Sequence, residues 1–191
     1  MKLVVGLRNP GPDYEGTRHN LGFEVLQKTL DRQGEKLGRA PLKLRGQIAK
    51  VGRGADQVLY FSPNSYMNES GPSVRAAAVY FKVGPDAILI LHDDIDLPFG
   101  RMRLQVGGGS GGHNGVKSVE QSLGTREFAR LKLGVGRPPA SVDPADFVLR
   151  RFSMVERGEV DLMVEWAADI VTSWKDYPAR AQETAARYNA L

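Results

Sequence analysis

Cysteine is absent from the sequence, which removes disulfides, thiolate-bound zinc and cysteine nucleophiles together and permits a reducing compartment. A cytoplasmic location is the expectation. Long apolar runs are missing too. Runs such as Ala87 to Leu91 fall far below the ~20 residues that a membrane-spanning helix requires. The N-terminal run Leu3 to Leu7 is too short for the core of a signal peptide and leads into turn residues, so it reads as a first buried strand. No internal repeat, heptad array or low-complexity linker interrupts the 191 residues, and a single domain over 1–191 is expected. Hydrophobic residues at 41% and charged residues at 25% suit an ordinary globular protein. Neither sign of charge is scarce. Lys and Arg number 26 against 22 Asp and Glu, giving +4 and a pI of about 9.4. That modest basic excess favours a polyanionic partner such as RNA but is shared by many proteins that bind none.

Stretches rich in β-formers alternate with helical periodicities, which predicts an α/β fold: a mixed, twisted β-sheet flanked by helices on both faces. Candidate strands are Lys2–Leu7, Gln47–Val51, Gln57–Phe61, Ala87–Leu91, Arg101–Val106 and Ala129–Val135. Leu21, Val25, Leu26 and Leu30 repeat at helical spacing after His19 and Asn20, with Gly34 as a stop signal. A second helix is predicted from near Pro72 and a third after Asn114. A fourth carries the apolar stripe Val160, Met163, Val164, Ala167, Ile170, Val171 and Trp174. Several polar loops leave predicted strand ends, and in open α/β sheets such loops converge on ligands.

Two motifs invite misreading. Gly107, Gly109 and Gly112 satisfy the dinucleotide pattern G-x-G-x-x-G, but the strand about 20 residues on carries no carboxylate. Gly108 to Gly112 also matches the G-x-S-x-G elbow, yet that class needs a histidine well beyond the serine, and only the adjacent His113 follows Ser110. The plain reading is that these glycines supply positive φ angles and close backbone approach, displaying Asn114 at a helix start. His92 to Asp96 resembles a cation loop but lacks the remaining ligands, so no metal is expected. An aspartate here instead suits the orientation of a histidine elsewhere.

Of the three histidines, only His19 lies in a polar segment, Thr17-Arg18-His19-Asn20. A lone histidine there is more often a cap or packing residue. Its company changes that balance. Asn9, Asn68, Asp93 and Asn114 all fall at strand or helix boundaries, and together they form a polar set suited to water-mediated ester or amide hydrolysis, although each asparagine singly reads as a turn residue.

The segments VVGLRNPGPDYEGTRHNLGF, PNSYMNESG, HDDIDLPFG and GGGSGGHNGVKS, in this order and spacing, resemble the signature blocks of bacterial-type peptidyl-tRNA hydrolases over nearly the whole chain. The resemblance implies a monomeric mixed-sheet fold that cleaves the ester between a peptide and the 3′ end of tRNA without cofactor or metal. It implies His19 as the base that activates water, Asp93 as its orienting carboxylate, and Asn9 as a discriminator of peptidyl from aminoacyl substrate. Tyr14, Tyr66, Asn68 and Asn114 become substrate contacts near the tRNA terminus. Arg101, Arg103, Lys117, Arg130 and Lys132 cluster around the relevant loops, with Arg103 and Lys132 as candidate phosphate contacts; many relatives carry lysine where this chain has Gln105. The segment from Arg137 to Asp146 is expected as a loop beside the cleft, and the last helix, with Trp166 and Trp174, as packing over its rim. The alternatives are a non-catalytic RNA-binding relative and an esterase of another substrate on the same fold.

Overall fold

A computed structural model describes residues 1–176 and 178–191. The strands are β1 (Lys2–Gly6), β2 (Gly38–Arg39), β3 (Gly46–Val51), β4 (Val58–Pro63), β5 (Ile88–Asp94), β6 (Met102–Val106) and β7 (Ala129–Gly134). They form one sheet in the order β2-β3-β4-β1-β5-β7-β6. The central strands β4, β1, β5 and β7 run parallel, while β3 and β6 add antiparallel pairs at the flanks. Helices α1 (Leu21–Asp31), α5 (Met154–Asp176) and α6 (Pro178–Asn189) cover one face, and α2 (Ser70–Phe81) and α3 (Asn114–Leu123) the other. The alternation of a strand fixes this split: Val4 of β1 packs with α1 and α5, whereas Leu3 and Val5 pack with α2 and α3.

Because the four central strands are parallel, their carboxyl ends share one edge, and the loop after β1, the loop after β4 and the end of β5 meet there. β5 runs past the predicted Leu91 to Asp94. His92 and Asp93 keep their ladder register with Lys132 and Leu133 of β7, since backbone pairing needs no apolar side chain.

Three expectations need correction. The segment from Arg137 to Asp146 is not wholly loop: α4 (Pro144–Val148) begins inside it, with Asp143 accepting from the Ala145 N–H and proline in the first turn. The helix bearing Trp166 and Trp174 is not the last, because α6 follows. Its tryptophans also lie away from the cleft. Trp174 is buried under Lys2 at the amino end of β1, and Trp166 stacks on Tyr188 of α6. Finally, Arg130 is no surface cation. It is fully buried, donating to the Gly108 and Gly109 carbonyls and to Glu120. It thereby pins the glycine loop ahead of α3.

Candidate active site

Helix α1 lies unusually close to β5. A Cβ on Gly22 would sit 2.1 Å from the Leu91 carbonyl oxygen, so the contact requires glycine. That approach carries the 3-10 turn Arg18–Asn20, which leads into α1, against the end of β5. His19 Nδ1 donates to Asp93 at 2.9 Å (Oδ1) and 3.1 Å (Oδ2). A second histidine reaches the same carboxylate, its ring centre 4.7 Å from that of His19. His113 is the N-cap of α3, and its Nδ1 accepts from the Gly115 and Val116 N–H groups at 3.1 and 3.2 Å. A nitrogen that accepts carries no proton, so His113 holds its proton on Nε2 and donates it to Asp93 Oδ1 at 2.8 Å.

These bonds set the charges. Burial alone would raise the pKa of Asp93, but His19 and His113 hold it far below the usual carboxylate range. Burial lowers that of His19, and the charge and hydrogen bond of Asp93 outweigh it, leaving His19 above its ordinary value. His92, buried against His113 with its Nδ1 donating to the Asp93 carbonyl, is pushed down to about 3, chiefly by burial. It stays neutral. With Nδ1 of His19 committed to Asp93, Nε2 is the nitrogen left to take a proton.

The asparagines are held as carefully. Asn20 clamps the Asn9 backbone, accepting its N–H at 2.8 Å and donating to its carbonyl at 2.9 Å. Asn9 Oδ1 accepts from the Met67 N–H at 2.7 Å, which joins the loop after β1 to the loop after β4 and brings Asn68 close. Met67 is buried while Tyr66 and Asn68 are exposed, and Tyr14 meets Tyr66 edge-on, ring centres 6.3 Å apart. Asn114 opens α3, after a loop in which Gly107, Gly108, Gly111 and Gly112 all take positive φ as expected. A cleft of about 320 Å³ joins His19, Asp93, His113 and Asn114 to the glycine loop on one side and to Asp143, Pro144, Ala145 and Val148 of the α4 strap on the other. Asn68 lines a separate depression with Ser65 and Ser118. A wider groove of about 560 Å³ along α2 is lined by no histidine or carboxylate.

Residues 3–190 match the family model described as peptidyl-tRNA hydrolase. The chain belongs to this family. It is 49% identical over 168 residues to the peptidyl-tRNA hydrolase of Mycobacterium tuberculosis, covering 87% of each chain. To that of Frankia alni it is 44% identical over 169 residues, covering 88% of this chain and 85% of the relative. The crystal structure of peptidyl-tRNA hydrolase from Acinetobacter baumannii superposes with a TM-score of 0.89 at 32% identity, covering 97% of this chain and 94% of that one.

Within this family member the expected site residues fall into two groups. His19, Asp93 and Asn114 line one cleft; Asn9 does not line it but is bonded to Asn20, next to His19, and to Met67, next to Asn68, while Tyr14 and Tyr66 meet each other edge-on. Of the phosphate candidates, Arg103 is exposed, whereas Lys132, its cross-strand neighbour, is only 16% exposed and pairs with Asp94 at 3.4 Å. The residue that the sequence reading passed over is His113. Its signal was position: it stands where an N-cap belongs, directly ahead of the helix displaying Asn114. Ring nitrogens of His19 and His113 and a carboxylate oxygen of Asp93 lie within 4.8 Å of one another. His113 does not suit metal ligation there, because its Nδ1 accepts from two backbone N–H groups and its Nε2 therefore carries the proton.

Proposed function

We propose that this protein hydrolyses peptidyl-tRNA, releasing the peptide and free tRNA, with His19 as general base. The observation that carries the assignment is the Asp93 carboxylate accepting from His19 Nδ1, because it leaves His19 Nε2 with a lone pair inside the cleft. Nε2 takes a proton from water as the water oxygen attacks the ester carbonyl carbon. The imidazolium formed is stabilised by Asp93. When the tetrahedral intermediate collapses, the bond to the ribose oxygen breaks and His19 returns its proton to that leaving oxygen. The Asn68 and Asn114 carboxamides are suited to donate to the developing oxyanion or to bond the peptide backbone, and Asn9 to read the first peptide unit. Tyr14 and Tyr66 offer an aromatic border for the tRNA terminus, and Arg103 with Lys132 a cationic pair for its phosphates. His113, with His19, holds the buried Asp93 ionised. The protein acts as a cytoplasmic monomer; among the described residues no helix is long and apolar enough to cross a membrane.

The test is peptide release from N-acetylaminoacyl-tRNA by the wild type and His19→Ala, with EDTA present and tRNA binding followed in parallel. Wild type is expected to cleave in EDTA. The variant should bind tRNA while losing about 10²–10⁴ in rate, the usual worth of a positioned base. Binding without cleavage by the wild type would refute the enzyme assignment and leave an RNA-binding relative.

A further inference from the structure

The residue beside the base is built into an unusual mount. Arg18 is buried, at 6% exposure, and its guanidinium lies between two rings, with its central carbon 4.2 Å from the centre of Phe147 and 4.9 Å from that of Phe152. Nη1 donates to the Arg150 and Arg151 carbonyls at 3.2 and 3.0 Å. Nη2 grips both oxygens of Glu156 at 2.8 and 3.1 Å. All these partners come from one stretch, running from α4 to the first turn of α5. Main-chain bonds follow the same route: Arg18 N–H to the Arg150 carbonyl, Phe152 N–H to the Gly16 carbonyl, and a bridge between Thr17 and Arg151.

Glu156 serves both sides of the joint. It accepts from the Ser153 N–H at 2.7 Å while Ser153 Oγ accepts from the Glu156 N–H, a capping box that starts α5. Burial favours its neutral form, yet the Ser153 bonds and Arg18 hold its pKa below the ordinary value. The other end of the strap is fixed at the opposite wall, where Gly136 N–H donates to the Leu97 carbonyl and Arg137 pairs with Asp96.

The α4 strap forms one wall of the cleft and His19 belongs to the same cleft. We infer that Arg18 is a positioning residue that locks the His19 turn and the α4 strap into one body, so that the base is aligned only when the strap is seated. The inference rests on His19 being the base. A planar guanidinium is needed, because stacking between two rings, two carbonyl bonds and a bidentate carboxylate cannot all be met by the point charge of lysine.

The experiment compares wild type, Arg18→Lys, Arg18→Ala and Glu156→Gln by kcat, KM and the pH profile of N-acetylaminoacyl-tRNA hydrolysis. Displacement of a reacting group by about 1 Å costs on the order of 10²-fold, so Arg18→Lys should lower kcat by about that factor with little change in KM. If His19 slips from Asp93, its pKa falls toward the ordinary value and the acid limb of the profile moves to lower pH. A fall in folded fraction alone lowers the amplitude and leaves the limb in place. Glu156→Gln, whose one remaining oxygen can still accept from the Ser153 N–H and Arg18 Nη2, should retain more activity than Arg18→Lys. Millimolar guanidinium, filling the slot between Phe147 and Phe152, should restore part of the Arg18→Ala rate. An unmoved limb with unchanged kcat in Arg18→Lys, or a loss confined to KM, would overturn the inference while leaving the base assignment intact. Full activity in His19→Ala would overturn both.

Discussion

At the scale of single residues, Asp93 holds the charges of the site in order. It sits almost wholly buried, and only its two imidazole donors keep it ionised. The consequence for Asp93→Asn can be worked out in sign. His19 has a raised pKa in the folded protein, so the stability from its pairing is complete below its unfolded value of about 6.5 and fades as pH rises through the higher folded value. Asp93 has a depressed pKa, so its contribution is complete above about 3.9 and fades only as pH falls toward the much lower folded value. Both charges are therefore present between about pH 4 and 6.5. Denaturant midpoints of wild type and Asp93→Asn should differ more at about pH 5.5 than at about pH 8.5. Equal differences would show that the two groups are not coupled. In activity the same variant should move the acid limb to lower pH, since nothing then raises the His19 pKa, and should lower the rate at every pH because the imidazolium loses its counter-charge.

Among the elements, the placement of the base depends on helix-to-strand distance as much as on side-chain chemistry. Gly22→Ala would put a methyl group 2.1 Å from the Leu91 carbonyl oxygen, and α1 must then move off β5 with His19 at its head. A stability loss of about 1–3 kcal/mol is expected from such overpacking. A loss of kcat larger than the unfolded fraction explains should accompany it, measured as single-turnover rate against folded fraction. If activity merely followed folded fraction, the contact would be structural only. This dependence also shows why some of the site was legible in the sequence. His19, Asp93 and the asparagines stand at element boundaries, where periodicity breaks and a polar residue has no packing duty. His113 looked like one more loop residue although the helix start beside it was legible, because histidine is not among the usual N-cap residues. Its bond to Asp93 depends on Arg130 holding the glycine loop, and a buried arginine in a strand read as a surface cation. Arg18 went unread for a similar reason: its partners, Arg150 to Glu156, are distant in sequence and meet it only in the fold.

Across the whole molecule, a second helix that periodicity did not announce, α6, covers one edge of the sheet. α6 has few large apolar residues and buries mainly Ala181 and Ala185, too faint a stripe to read as core. Yet it lies over β6, an edge strand whose unpaired backbone would otherwise invite pairing with another chain. Asn189 supplies what a neighbouring strand would: its Oδ1 accepts the Met102 N–H at 2.9 Å and its Nδ2 donates to the Met102 carbonyl at 2.7 Å. Tyr188 adds a stacked contact with Trp166 and a hydrogen bond to Asp169. Met102 stands on the same rung of the sheet as Asp93, two strands away through Leu133, but no residue of α6 lines the cleft, so cover of the edge and catalysis are separable. Asn189→Ala should lower thermal stability, by about 1–3 kcal/mol for backbone groups left without partners, while kcat for N-acetylaminoacyl-tRNA at moderate temperature stays near wild type. Truncation after Asp176 should go further and yield concentration-dependent association through the bared β6, seen by light scattering. A truncated chain that stayed monomeric at high concentration would mean that the exposed cations Arg101 and Arg103 protect the edge without α6.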